Sequence, residues 1–167
     1  MYTNMDSIQN KMNELRHRVI SMKPHFILIT ETWLNEDIPD SLVHIDGYNL
    51  LRRDRIERSG GGVCIYVKEA TMDEEKIINF EINVGNPNVE SMTLDIKIGL
   101  SNFVLSCVYR STSSSANDTL QINNYIREVC NLNKDTLIFG DFNYPEIVWN
   151  EETADGMTGE GSDFVDC

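Results

Sequence analysis

The sequence predicts an α/β domain in which mixed strands lie inside outer helices, in two or more layers. Three observations carry this. Hydrophobic residues make up 41% of the 167 positions and charged residues 25%, the balance of a globular chain with a real core. The apolar pattern runs in the order helix, strand, several strands, helix, strand. Several strand-like runs end in carboxylates or amides, the favoured place for site residues in α/β layers. No stretch approaches the roughly 18 apolar residues a membrane helix needs. The first twenty residues lack the charged-then-apolar plan of a secretory leader. The chain therefore reads as intracellular and soluble.

The first helix follows from Ile8, Met12, Leu15, Val19 and Met22, spaced three or four apart, with Asp6 or Ser7 as its cap. Pro24 ends it, because the residue before a proline is pushed out of the helical region. Residues 26–29 form an apolar run suited to a strand buried on both faces, and it empties into Thr30-Glu31-Thr32-Trp33. Pro39 and Gly47 mark 34–47 as a connection. Residues 48–51 read as a strand, 52–59 as a charged loop, and 60–62 as a glycine turn into a strand at 63–67. Further strands fall at about 76–83, 89–98 and 102–109. In the middle one Met92, Leu94, Ile96 and Ile98 alternate with polar residues, a half-buried pattern. A second helix covers about 118–132, with Ile122, Tyr125, Ile126, Val129 and Cys130 on one face. Residues 135–139 read as another buried strand, leading into Gly140-Asp141-Phe142-Asn143. Beyond it, core-forming material is limited to Ile147, Val148, Trp149 and the last few residues, and Ser162-Asp163 reads as the start of a short helix.

The formal net charge is −13, so the chain has no overall basic footprint for nucleic acid. The acidity is uneven: no Lys or Arg follows Lys134, while nine acids fall in residues 135–167. A local basic patch with bound cations could still meet phosphates. Cys64, Cys107 and Cys130 lie in apolar patterns without a C-x-x-C pair and read as small buried hydrophobes of a reduced compartment. Trp33 and Trp149 read as packing residues.

Three polar clusters sit at the ends of separate apolar runs: Asn4 with Asp6, Glu31, and Asp141 with Asn143. Each alone has an ordinary reading, as a helix cap, a turn residue and a turn. Converging strand ends would instead gather hard oxygen ligands, as Mg²⁺ requires. Arg52, Arg53, Arg55, Arg58 and Arg110 are candidate contacts to a DNA backbone, against a solvated loop with ion pairs to Asp54 and Glu57.

Together these residues resemble the endonuclease–exonuclease–phosphatase superfamily, most closely the endonuclease domains of non-LTR retrotransposons of the chicken-repeat-like clade. The blocks that carry the resemblance are Tyr2-Thr3-Asn4-Met5-Asp6-Ser7, Ile29-Thr30-Glu31-Thr32-Trp33, the run from Arg53-Asp54-Arg55 to Gly60-Gly61-Gly62-Val63, Val108-Tyr109-Arg110, and Gly140-Asp141-Phe142-Asn143. The resemblance implies a deoxyribonuclease-like four-layer α/β/β/α fold, a two-layer β-sandwich flanked by helices, with 1–167 as one domain. It implies Mg²⁺, or Mn²⁺, held by Glu31 with Asn4, Asp6 and Asp141. It gives Asp141 the attacking water, Asn143 the scissile phosphate and Tyr109 a phosphate hydrogen bond, with Glu31 among the catalytic residues. DNA is the implied partner, nicked to leave a 3′-hydroxyl. A reverse transcriptase domain would follow in an intact element, acting in the nucleus, although no basic import tract is present. The oligomeric state is open.

The pattern fails at one block. The family's Ser-Asp-His has no match, because the histidines are His17, His25 and His44, and Ser162-Asp163 is followed by Phe164. The expectation is therefore an amino-terminal two-thirds of the domain, incomplete at the C-terminus. Two alternatives follow: a catalytically incomplete remnant or binding module of the same fold, and a phosphatase of a small phosphoester. The arginine–triple-glycine block argues against the second.

Overall fold

The computed structural model describes residues 1–56, 59–69, 78–83, 88–132, 134–149, 154–156 and 160–167. Sheet one contains β1 (Tyr2–Asn4), β2 (Phe26–Thr30), β3 (Tyr48–Arg53) and β4 (Val63–Lys68), in the order β1-β2-β4-β3. Sheet two contains β5 (Ile78–Asn83), β6 (Glu90–Ile98), β7 (Ser101–Tyr109) and β8 (Asp135–Asp141), in chain order. The pairs β1–β2 and β7–β8 are parallel, and the other pairs in these two sheets are antiparallel. Each parallel pair is bridged by a helix: α1 (Met12–Met22) and α2 (Ala116–Cys130). A hairpin of β9 (Ile147–Trp149) and β10 (Ala154–Gly156) and a short α3 (Glu160–Val165) complete the order. Among the described residues no helix is long and apolar enough to cross a membrane.

The period of two along each strand builds the layers. Ile27, Ile29, Cys64 and Tyr66 face α1, where they meet Ile8, Met12, Leu15 and Val19. Their neighbours Leu28, Val63, Ile65 and Val67 face the other way, against Met92, Leu94, Ile96, Leu105 and Cys107 of sheet two. Val104 and Val108, on the far side of sheet two, pack on Ile122, Tyr125, Ile126 and Val129 of α2. The result is the expected α/β/β/α arrangement with three apolar interfaces. Strands β2 and β4 are buried on both faces, which is why their runs are continuously apolar. Complete burial of each large side chain contributes about 1.5–3 kcal/mol.

Several sequence expectations are corrected. Asp6 and Ser7 do not cap α1; both have left-handed backbones (φ 45° and 76°), and the helix opens through a 3₁₀ turn without a side-chain cap. The second helix begins earlier than expected, at a capping box in which Ser115 and Asp118 satisfy each other's backbone N–H. Ser91 and Thr93 are buried rather than half-exposed, because α2 covers that face. There the hydroxyls of Thr93, Ser106 and Tyr125 bond one another. Strand β8 is not buried on both faces: Leu137 and Phe139 are 49% and 38% exposed. They face the sandwich side, where the three-residue β1 offers little beyond Tyr2, stacked on Phe139. Cys64 and Cys107 are buried as expected, but Cys130 at the end of α2 is exposed.

Candidate active site

Register brings the polar clusters together. The parallel pairing of β1 and β2 sets Asn4 beside Thr30, so Asn4 and Glu31 leave the same end of sheet one. The parallel pairing of β7 and β8 sets Tyr109 beside Asp141 at the end of sheet two. Each sheet thus presents one carboxylate and one neutral donor, and the two sets are cross-paired. The Asn4 amide donates to Asp141 Oδ2 at 2.8 Å, and the Tyr109 hydroxyl donates to Glu31 Oε1.

Glu31 is also held from its own sheet. Its Oε2 accepts the Trp33 indole N–H at 2.8 Å and the Gly61 backbone N–H at 2.9 Å. Gly60, Gly61 and Gly62 all have positive φ, and Gly61 has no room for a Cβ, which would strike the Arg55 guanidinium and the Glu90 carboxylate. The triple glycine is the expected turn into β4, and in addition it aims an N–H at Glu31. Burial acts to raise the Glu31 carboxyl, but the donors Tyr109, Gly61 and Trp33 and the charge of Arg55 outweigh it, so its pKa lies below the ordinary 4.5. Tyr109, buried and bonded to Glu31, is pushed up to about 12 and remains a donor at neutral pH.

The depressed Glu31 pKa makes a stability prediction. A carboxyl whose folded value lies below its unfolded one contributes stability above about pH 4.5, lost as pH falls through the folded value. Glu31→Gln should therefore flatten the acid side of the stability–pH curve in denaturant melts. An unchanged slope below pH 4.5 would refute this.

The loops carrying these groups are strained and laced together. Of six non-glycine residues with positive φ among the described ones, Asp6, Ser7, Glu31, Trp33 and Asn143 lie in the strand-end loops. Such conformations cost of order 1–3 kcal/mol each and gather at functional sites. The β1 loop is bonded to the β2 loop through Ser7 N to Glu31 O and Ile8 N to Thr32 O, both 3.0 Å. Asp6 is exposed beside Asn4, its N–H donating to Asn4 Oδ1 at 3.1 Å.

Residues 103–167 match a family model described as endonuclease-reverse transcriptase. Among solved structures, an AP endonuclease from Leishmania major matches with a TM-score of 0.66 and 15% identity, over 98% of this chain and 63% of that one. This is the endonuclease/exonuclease/phosphatase fold. A 3′-5′ exonuclease from Neisseria meningitidis matches with a TM-score of 0.60 and 14% identity, over 85% and 56%. The endonuclease domain of TRAS1, a telomere-specific non-LTR retrotransposon, gives 0.55 and 15%, over 85% and 57%. The chain spans 56% to 63% of the length of these structures. Among curated proteins nothing matches.

Within this endonuclease/exonuclease/phosphatase fold, the arginines depart from expectation. Arg110 is 7% exposed, with Nε donating to Thr119 Oγ1 at 3.2 Å, Nη1 to the Asn143 carbonyl at 2.7 Å, and its plane over the Tyr144 ring. Asn143 returns a bond from Nδ2 to the Arg110 carbonyl at 2.6 Å. The two residues thus hold the Gly-Asp-Phe-Asn turn, so Arg110 is not the exposed backbone contact expected. Arg52 bonds Asp54, Asp40 and the carbonyls of Ile38 and Asn35, fastening the connection after β2. Arg55 pairs with Glu90. Both are turned inward because a guanidinium with several fixed acceptors loses less by desolvation than one left unpaired. Arg53 donates to the Ser91 carbonyl at 3.2 Å, and Arg58 lies outside the described residues.

Trp33 is 45% exposed and bonds Glu31, so it is a site residue rather than a packing residue; the Trp149 side chain lies outside the described residues. Sequence reasoning read Gly61 as part of a turn and missed its N–H bond to Glu31, and it missed Glu90 altogether, for which no local pattern gives a signal. His17, His25 and His44 are all exposed, on α1, before β2 and in the connection before β3, and His44 pairs with Asp46. Among the described residues no three His, Cys, Asp or Glu side chains converge as a metal cluster.

Proposed function

We propose that this chain is a metal-dependent, DNA-nicking endonuclease domain of the non-LTR retrotransposon type. The observation that carries the reading is the cross-paired set Asn4–Asp141 and Tyr109–Glu31 at the strand ends of a nuclease-type sandwich. The family description and the likeness to the TRAS1 domain support a retroelement context, with a reverse transcriptase domain as partner and action in the nucleus.

The donor set suits a hard divalent cation. Glu31 and Asp141 offer carboxylate oxygens and Asn4 an amide oxygen, which agrees with the one or two carboxylates Mg²⁺ prefers, and Asp6 adds an exposed carboxylate beside Asn4 rather than a third converging one. These residues would hold Mg²⁺ or Mn²⁺, which supplies neutralisation of the charge developing on the phosphate. The Asp141 carboxylate has one oxygen fixed by Asn4, leaving the other to orient a water and accept its proton. The Tyr109 hydroxyl has one proton, which goes to Glu31 Oε1, and would donate to a phosphate oxygen by exchanging that bond when cation and phosphate bind. Asn143 holds the turn that presents Asp141 and offers its amide to the scissile phosphate. Of the arginines, Arg53 and Arg58 are the ones proposed to meet the DNA backbone.

The test is nicking of supercoiled plasmid by the purified, folded chain with Mg²⁺ or with EDTA. Open circles with Mg²⁺ alone are the expected result. Phosphate release from a small phosphoester with the plasmid intact would instead favour a phosphatase. The three exposed histidines favour one second reading, a non-catalytic remnant of the fold, since none of them lies at the site. A folded chain that leaves both substrates unchanged would establish that reading.

A further inference from the structure

Glu90 opens β6 as the direct cross-strand partner of Tyr109. Its Oε1 accepts Arg55 Nε–H at 2.8 Å and lies 2.6 Å from Nη2, while its Oε2 accepts the Gly62 N–H at 2.7 Å. The preceding N–H, that of Gly61, goes to Glu31. Two successive glycine N–H groups are therefore divided between two carboxylates, Glu31 from sheet one and Glu90 from sheet two. The Arg55 guanidinium completes the circuit, paired with Glu90 and lying over the Tyr109 ring at 5.5 Å. The pair is largely shielded, with side-chain exposures of 10% for Arg55 and 23% for Glu90. Such pairs add little net stability, because desolvation offsets much of their attraction. What this one supplies is geometry: it fixes the loop and the ring that together hold Glu31.

We propose that Glu90 is a positioning residue for Glu31, fixing the glycine loop and Arg55 so that Gly61 and Tyr109 hold the Glu31 carboxylate ready for a divalent cation. The proposal rests on the metal-site reading above. Arg55 and Gly62 are met by different oxygens of Glu90, so Glu90→Gln sets an NH2 donor against one of these two donors and leaves the loop or the guanidinium unheld. Losing a partner that orients a metal ligand typically weakens metal binding about 10–100-fold.

The chain has two tryptophans, so Trp149→Phe leaves Trp33 as the sole indole, bonded to Glu31. Paramagnetic Mn²⁺ at Glu31 quenches that emission. The midpoint of quenching measures the site, and its amplitude measures the folded fraction. In this background the parent should quench saturably, Glu31→Gln should abolish the effect, and Glu90→Gln should raise the midpoint about 10–100-fold at full amplitude per folded molecule. A midpoint unchanged in Glu90→Gln, with quenching still dependent on Glu31, overturns the positioning role and leaves the metal site standing. No saturable quenching in the parent overturns both. If Glu90→Gln fails to fold, Arg55→Lys, which keeps the charge but loses the fork, decides in the same assay: a raised midpoint supports the proposal and an unchanged one overturns it.

Discussion

A Gly140→Ala protein is expected to lose about 3 kcal/mol of folding stability, the upper end of an overpacking cost, and the candidate active site with it. Gly140 pairs with Val108 in the parallel β7–β8 register, and a Cβ there would lie far inside contact distance of the Val108 carbonyl oxygen and 3.2 Å from Phe142 Cζ. A flexible side chain could swing aside, but a backbone carbonyl in a central strand cannot. Val108 is fully buried and bound into β6 on its other side. Relief must come from β8, which among the described residues is the edge strand of sheet two, so the strand shifts and carries Asp141 away from Asn4. The control is Gly99→Ala, where φ is +59° but no atom lies within 4 Å of the added Cβ. There the cost is conformational only, about 1 kcal/mol. Thermal melts should separate the two by several degrees, since each kcal/mol moves the midpoint about 2–4 °C at this chain length. Equal losses at both positions would show that the approach of Gly140 to Val108 is not what selects glycine there.

The contrast between these glycines shows what a sequence of this kind reveals. The continuously apolar runs of β2 and β4 were legible because both faces of sheet one are covered, by α1 and by sheet two. Leu137 and Phe139 look no different from such a run, and their exposure depends on the length of the strand opposite, which local pattern does not encode. The resemblance singled out Asn4, Glu31, Tyr109 and Asp141, but the pairing of Asn4 with Asp141 and of Tyr109 with Glu31 is a property of two registers facing each other. The arginines misled for a related reason. Charge in a loop reads as solvent-facing until acceptors far along the chain are known, and Glu90 lies 35 residues beyond Arg55. Asp6 and Ser7 have the residue types of helix caps, yet both are left-handed, with the Asp6 N–H donating to Asn4 Oδ1 and the Ser7 N–H to the Glu31 carbonyl of the β2 loop. The local propensity of those two residues was overridden at a strained, site-forming loop.

Asp141→Asn separates chemistry from fold, and it should lower Mg²⁺-dependent nicking about 10²–10⁴-fold while leaving the melting temperature nearly unchanged. The side chains are nearly identical in shape, and the asparagine oxygen can still accept the Asn4 N–H. That bond lies near solvent, so its alteration has a small effect on stability. What disappears is the second carboxylate oxygen, the proposed acceptor of a proton from the attacking water. An amide cannot take that role at any pH of interest. Gly140→Ala should instead reduce nicking and stability together, because it moves the same carboxylate by displacing its strand. Measuring both properties for both proteins distinguishes a group that reacts from one that is merely carried by the fold. Nicking by Asp141→Asn within about threefold of the parent would remove Asp141 from the proton-transfer role, far below the loss expected for a general base. The loss expected here cannot come from disturbed packing, since Asp141 lies outside the three apolar clusters and, among the described residues, its side chain joins sheet one through the exposed hydrogen bond to Asn4.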